Sequence, residues 1–273
     1  MTYKGTLFLF SLNIVCIECW HCFGMQHITT YENTYFSRIV ETDSIKDVLN
    51  YATDQETLVV FDLDNTLVCP KQEVGSVQWF DYIFKQKVSR GMNTEDALTE
   101  VLPLSFEVLN TISLRPCEPE TSGVIKTLQQ NNIVTLALTS RSECLAKRTH
   151  DQLHEAGINF SVANQFDQEV ILNYARPALL NHGIIFCANN NKGTILLTIL
   201  NLCHSNPKKI VFVDDKLEHL FEVEKACLTN KIVFVGIRYS KLDPIVAQFD
   251  PVRAEQELAS LFGNRIPGTS LSV

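Results

Sequence analysis

The sequence predicts an α/β fold, a three-layer sandwich with a mostly parallel central sheet. Three observations lead there. Five short apolar runs recur at Thr57–Phe61, Ile133–Leu138, Gly183–Ala188, Ile210–Val213 and Lys231–Ile237. Helical patterns lie between them at Pro119–Gln130, Ser142–Ala156, Lys192–Cys203 and Lys216–Cys227. The runs are apolar nearly throughout instead of alternating, as expected of strands covered by helices on both faces.

At the N-terminus, Lys4 precedes an apolar run from Leu7 to Ile17. The run is too short to span a bilayer as a helix but suits a secretory signal, with the cut after Gly24. This assigns residues 1–24 to a signal peptide and the mature chain to the periplasm or the medium. If the run is instead a buried N-terminal strand or helix, the chain stays in the cytoplasm. Cys16, Cys19 and Cys22 have metal-like spacing, but they straddle the run and lack a matching second pair, so no zinc site is expected.

Cleavage would leave Cys69, Cys117, Cys144, Cys187, Cys203 and Cys227. The even number permits disulfides in an oxidising compartment. Cys187 lies in an apolar run and reads as a core residue, and the pairing stays open.

Ser44 to Ala52 reads as a short helix capped by Asp43 or Ser44. From 70 to 114 the strand–helix rhythm stops. Trp79, Phe80, Tyr82 and Phe84 are followed by Asn93-Thr94-Glu95-Asp96, a helix start, so this is a largely helical insertion whose aromatics form a small core of their own. Pro251 to Phe262 reads as a helix, and 263–273 as a loose tail. The expected organisation is therefore an α/β core over 25–69 and 115–262, interrupted by an inserted cap at 70–114.

Composition narrows the function classes. Hydrophobic residues make up 45% and charged residues 20% of the 273, a globular balance. The net charge is −8 with no Lys/Arg cluster, so no nucleic-acid partner is expected. No later segment reads as transmembrane, so no stable membrane insertion is expected once the signal is removed. An acidic protein that binds an anionic ester needs a local cation. Nothing in the sequence bears on oligomeric state.

Ligands of open parallel sheets bind beyond the carboxyl ends of the strands. Those ends carry Asp62-Leu63-Asp64-Asn65-Thr66-Leu67, Thr139-Ser140-Arg141 and Asp214-Asp215-Lys216, and Lys192 opens the helix after the third run. Taken singly, most have ordinary readings. Asp64-Asn65-Thr66, Thr139-Ser140 and Asp214-Asp215 can cap helices or turns, and Lys192 can be a surface lysine. Asp62, directly after five apolar residues, is harder to explain this way, because an unpaired carboxylate there is costly.

Taken together, these residues resemble the haloacid dehalogenase-like (HAD) superfamily of phosphatases. Phe61 to Leu67 is similar to its first motif, Thr139 to the second, Lys192 to the third and Asp214-Asp215 to the fourth, in order, over about Leu58 to Ile237. The whole chain also resembles an uncharacterised group of exported bacterial HAD-like proteins, which implies no substrate.

The resemblance implies a HAD-like Rossmannoid sandwich with a small helical cap inserted after the first motif strand. It also implies a Mg²⁺-dependent phosphomonoester hydrolase acting on a small phosphorylated substrate. Asp62 would be the nucleophile that forms an aspartyl-phosphate, and Asp64 the acid and base. Thr139 would donate to a phosphoryl oxygen, and Lys192 would neutralise charge. Ser140 and Arg141 would face substrate, although Arg141 has a second open role, pairing with a nearby acid. Asp62, Asp64 through its backbone carbonyl, Asp214 and Asp215 would hold the metal, with Asp215 favoured over Asp214 for direct ligation.

A phosphomutase shares the aspartyl-phosphate step. An exported binding or effector protein with weak or lost catalysis is the rival from another class. A dehalogenase does not need the second acid that Asp64 supplies. His150, His154, His182, His204 and His219 form no ligand spacing and are expected on helix surfaces or partly buried, outside the site.

Overall fold

A computed structural model describes residues 27–31, 35–161 and 164–263 of the chain. The proposed signal region at 1–24 lies outside the described residues, as do Cys16, Cys19 and Cys22 and nearly all of the proposed loose tail.

The strands, in chain order, are β1 (His27–Tyr31), β2 (Tyr35–Thr42), β3 (Thr57–Phe61), β4 (Val68–Pro70), β5 (Leu114–Pro116), β6 (Val134–Thr139), β7 (Glu169–Leu172), β8 (Ala178–Asn181), β9 (Ile184–Phe186), β10 (Lys209–Asp214) and β11 (Val233–Tyr239). Nine of them form one sheet in the order β1-β2-β11-β10-β3-β6-β9-β8-β7. The run from β2 to β9 is parallel throughout. Antiparallel pairs close both edges, β1 on β2 and β7-β8 on β9. β4 and β5 form a separate two-stranded ribbon.

The helices are α1 (Val77–Ser89), α2 (Thr94–Thr111), α3 (Thr121–Gln130), α4 (Ala146–Glu155), α5 (Lys192–Leu202), α6 (Leu217–Thr229), α7 (Asp243–Ala247) and α8 (Pro251–Phe262). Among the described residues, no helix is long and apolar enough to cross a membrane.

Strand alternation builds the three layers. Val59, Phe61, Ala137, Val211, Val213, Val235 and Ile237 enter one apolar cluster with Val124 and Leu128 of α3, Leu153 of α4 and Ala254 of α8. Their neighbours Leu58, Val60, Leu136, Leu138, Ile210, Phe212 and Phe234 enter the other, with Ile195 and Ile199 of α5 and Leu220 and Val223 of α6. Each central strand is thus buried on both faces, which is why its sequence is apolar throughout. The expected α/β sandwich with a mostly parallel sheet is the fold of this chain.

Several elements differ from expectation. The short helix expected over Ser44 to Ala52 is present as a 3-10 helix, Ile45–Asn50, with Ser44 at its cap position. Its entry is fixed from outside, because the Ile45 N–H donates to buried Glu118 Oε1 at 2.6 Å and the Tyr239 hydroxyl donates to the same oxygen. The expected helix over 142–156 starts as a 3-10 turn, Glu143–Leu145, before α4. Trp79 does not sit in a separate core of the inserted segment. It is 2% exposed and belongs to the cluster that covers the α3 face of the sheet, along with Val108 of α2. Phe80 and Phe84 stack on one another, and Tyr82 of α1 meets Phe249 near α8.

Candidate active site

The site is built where β3 and β10 end side by side. Val213 pairs with Phe61, and the ladder runs one residue further, because the Asp62 N–H donates to the Val213 carbonyl at 2.9 Å. Asp62 and Asp214 are therefore neighbours across the strand ends. After Asp62 the chain turns tightly: the Leu67 and Val68 N–H groups both return to the Leu63 carbonyl, and Asn65 takes φ +61°, a left-handed conformation that asparagine tolerates. Leu63 and Leu67 are fully buried and anchor this turn. Thr66 Oγ1 accepts from the Asp215 N–H at 3.1 Å, tying the two acidic loops together.

Lys192 enters from α5. Asn191 caps that helix by accepting from the Thr194 N–H at 2.9 Å, and Glu222 of α6 accepts from the Lys192 N–H at 2.8 Å. The adjacent Gly193 lets α5 and α6 touch: a Cβ there would stand 2.2 Å from the Glu222 carbonyl oxygen and 2.9 Å from the Ala226 Cβ. From this seat the Lys192 ammonium, 1% exposed, reaches Asp62 Oδ1 at 2.6 Å and Asp214 Oδ2 at 2.7 Å. It also lies over the Phe212 ring. A lysine buried this deeply needs such partners.

Asp62, Asp214 and Asp215 each present a carboxylate oxygen, and the three lie within 4.8 Å of one another. Burial pushes the Asp62 carboxyl up to about 6, with Lys192 pulling against it. Burial, and then the charges of Asp62 and Asp214, hold Asp215 well above the ordinary carboxylate range. Burial also acts to raise Asp214, but Lys192 and His219 outweigh it and the net direction is down. Burial works against the Lys192 charge, yet Asp214 and Asp62 hold it above the usual lysine range. Both Asp214 oxygens are engaged: Oδ1 accepts from the Lys216 N–H at 2.8 Å, Oδ2 from Lys192, and His219 Nδ1 stands 3.1 Å from each.

Asp64 stands apart from this trio. Arg141 holds its carboxylate through Nε at 2.8 Å and Nη2 at 2.7 Å, and Arg141 Nη1 is itself held by Thr149 Oγ1 and Gln152 Oε1 of α4. Of the two roles open to Arg141 in the sequence, the structure has it pairing with an acid. Thr139 is buried at the end of β6, and its Oγ1 accepts from the Arg141 N–H at 3.2 Å. Ser140 is half-buried at the same edge, its carbonyl accepting from Asn189. The structure thus bonds Lys192 to Asp62 and Asp214, gathers the Asp215 carboxylate within 4.8 Å of theirs, and sets Asp64 with Arg141 beside them.

Sequence reasoning missed His219, Glu222, Gln152 and Thr149. His219, like the other histidines, matches no ligand spacing in the sequence. The available signal is its position in the first turn of α6, four residues after Asp215.

Fold and site define an α/β protein with a carboxylate–lysine centre at the carboxyl edge of its parallel strands. The chain belongs to the family described as "Protein of unknown function (DUF2608)", which matches residues 41–261. Among its relatives, a protein of Chlamydia trachomatis named "Putative outer membrane protein" is 22% identical over 232 residues, 84% of each chain. One of the same name from Chlamydia pneumoniae is 24% identical over 204 residues, 74% of this chain and 77% of that one. An "Uncharacterized protein" of Rickettsia prowazekii is 22% identical over 236 residues, 84% of this chain and 82% of that one.

Two solved structures are similar at lower levels. A haloacid dehalogenase-like family hydrolase of Streptococcus pneumoniae has 13% identity and a TM-score of 0.41, covering 71% of this chain and 98% of that one. A HAD-superfamily hydrolase of Geobacter sulfurreducens has 12% identity and a TM-score of 0.38, covering 70% and 98%.

Proposed function

We propose that this chain is a Mg²⁺-dependent phosphomonoester hydrolase of the HAD type, working through an aspartyl-phosphate on Asp62. The observation that carries the reading is the convergence of the Asp62, Asp214 and Asp215 carboxylates, with the Lys192 ammonium bonded to two of them. The donor set fits the ion. It is all oxygen, it is largely buried, and its three acids outnumber its one ammonium. Asp62, Asp215 and the Asp64 backbone carbonyl would hold Mg²⁺, with Asp214 beside them. When bound, the ion offsets repulsion between Asp62 and an anionic ester and polarises the phosphoryl oxygens.

The chain's own groups supply the rest. Asp62 attacks phosphorus, and the leaving oxygen takes a proton from Asp64. Asp64 then takes a proton from the water that cleaves the aspartyl-phosphate. Arg141 fixes where Asp64 can reach. Lys192 offsets charge on Asp62 as the phosphoryl group arrives. Thr139 and Ser140 donate to phosphoryl oxygens.

The segment 70–114 serves as a cap that selects a small phosphorylated substrate and limits water. Its position supports this, since β4, which leads into α1 and α2, begins four residues after Asp64, and β5 brings the chain back to pair with it. Residues 1–24 direct export, a reading supported by the apolar run from Leu7 and by the relatives' printed name. Recovery of uncleaved chain from the cytosol would overturn the export reading.

The direct test is hydrolysis of an aryl phosphate by the full chain with Mg²⁺ and with EDTA, beside Asp62→Asn. Turnover that needs Mg²⁺ and vanishes in Asp62→Asn is expected. Folded protein with no turnover on a panel of phosphomonoesters would sink the reading.

A further inference from the structure

Cys69 and Cys117 stand on the two strands that carry α1 and α2 away from the sheet and back. β4 and β5 pair with Cys69 opposite Arg115 and Val68 opposite Pro116, and the Cys117 N–H donates to the Leu67 carbonyl at 2.9 Å. In an antiparallel ladder this register sets Cys69 and Cys117 on the same face as diagonal neighbours. Their thiols hydrogen-bond to one another, and both are buried in the same apolar cluster. Two other buried thiols have different surroundings: burial raises Cys187 and Cys227, and no second cysteine contributes there.

The pair can also be reached. A cavity of about 180 Å³ is lined by Cys69, Asn65 and Ser76 together with the cations Lys71, Arg115 and Arg253. Cys69 is part of its wall, and the three cations outnumber the one lining carboxylate, Glu73, which favours an anionic visitor.

We propose that Cys69 and Cys117 form a disulfide that clasps β4 to β5 at the root of the α1–α2 pair, made by exchange with an anionic small-molecule disulfide that enters this cavity. The Cys69 thiolate attacks one sulfur of the incoming disulfide, forming a mixed disulfide and releasing one thiolate. The Cys117 thiolate then attacks the Cys69 sulfur, closing the protein bond and releasing the second thiolate. The two protons given up by the cysteines go to the two released thiolates. Two protein thiols are oxidised and one disulfide is reduced. The order follows from the surroundings: the hydrogen bond from Cys117 holds Cys69 below the usual thiol range, whereas burial pushes Cys117 up. The bond would close α1 and α2 into a covalent loop and limit how far the pair swings from the sheet. It does not depend on the proposed phosphoryl chemistry.

The test uses the full chain, folded, incubated with oxidised glutathione or with dithiothreitol. Free thiols are then blocked, the chain is digested without reduction, and the peptides are mapped by mass spectrometry. The expected result is a peptide carrying Cys69 linked to one carrying Cys117. Alkylation of those two cysteines should be almost wholly lost, while Cys187 and Cys227 are labelled as before once the chain is unfolded. Cys117→Ser, shown to be folded by circular dichroism, should trap glutathione on Cys69. Hydrogen exchange through α1 and α2 should slow on oxidation of the wild type only. The proposal is overturned if both thiols stay alkylatable after oxidation. It is equally overturned if wild-type Cys69 keeps its glutathione, or if the cross-links match those of chain oxidised in urea.

Discussion

Arg141 grips Asp64 with two parallel hydrogen bonds, 2.8 Å from Nε and 2.7 Å from Nη2, while Gln152 and Thr149 hold the far side of the guanidinium. The fork is 4% exposed and the carboxylate 23%, so the gripping partner is buried and the acid is the more accessible of the two. Lysine cannot reproduce this planar contact. Arg141→Lys should keep most of the fold but let Asp64 wander, lowering kcat on an aryl phosphate roughly tenfold or more with KM little changed. Steady-state kinetics beside Asp64→Asn measures it. Wild-type kcat in Arg141→Lys would remove Arg141 as the residue that positions Asp64.

Asp62 sets a pH dependence of stability in metal-free protein. Its carboxyl is raised to about 6 by burial, above its value in the unfolded chain. A raised acid favours folding most at low pH, below its unfolded pKa near 4, and loses that contribution as pH climbs through about 6. Asp62→Asn mimics the protonated form. In EDTA it should match wild type near pH 4 and exceed it near pH 7, by an amount on the order of 2 kcal/mol. Denaturant melts at the two pH values test the sign. An advantage that shrinks as pH rises contradicts it.

Mg²⁺ should raise the thermal midpoint of the wild type near pH 7, because it binds the folded carboxylate cluster and not the dispersed one. At ten times its Kd the gain is about 1.4 kcal/mol. Asp215→Asn should lose most of that gain while keeping the Lys192 bridge between Asp62 and Asp214, which it does not touch. The measurement is the midpoint with and without Mg²⁺ in both proteins. An equal rise in the two would place Mg²⁺ elsewhere.

Gly193→Ala probes the seat of Lys192. The added methyl would press on the Glu222 carbonyl, 2.2 Å away, and on the Ala226 side chain. Backbone cannot yield cheaply, so α5 and α6 should separate at a cost of roughly 1–3 kcal/mol. Lys192 would move with α5, so turnover should fall as well. Stability equal to wild type in chemical denaturation would show that the two helices are not in contact at Gly193.

Much of this molecule could be read from the chain. The apolar runs at Thr57–Phe61 and Ile210–Val213 announce strands buried on both faces, because only such strands lack a polar side. The acids that follow them mark the strand ends where an open parallel sheet binds ligands. Other features left no such trace. Tyr35–Thr42 mixes polar and apolar residues and still forms a strand inside the sheet, because β11 and β1 complete its hydrogen bonds. Glu169–Leu172 forms the far antiparallel edge, where one neighbour, Ala178–Asn181, and one more buried face are enough.

For the site, the sequence by itself determined which residue types reach the carboxyl edge: Asp62, Asp64, Thr139, Lys192, Asp214 and Asp215. It did so because hydrophobic pattern and strand alternation are local properties. Only the tertiary structure decided who pairs with whom. Asp62 meets Lys192, 130 positions further along the chain, and Arg141 meets Asp64, 77 positions before it. Those partnerships depend on strand order and on how closely α5 packs on α6. Both are set by burial and side-chain contacts summed over the whole sheet, which no short stretch of the chain contains.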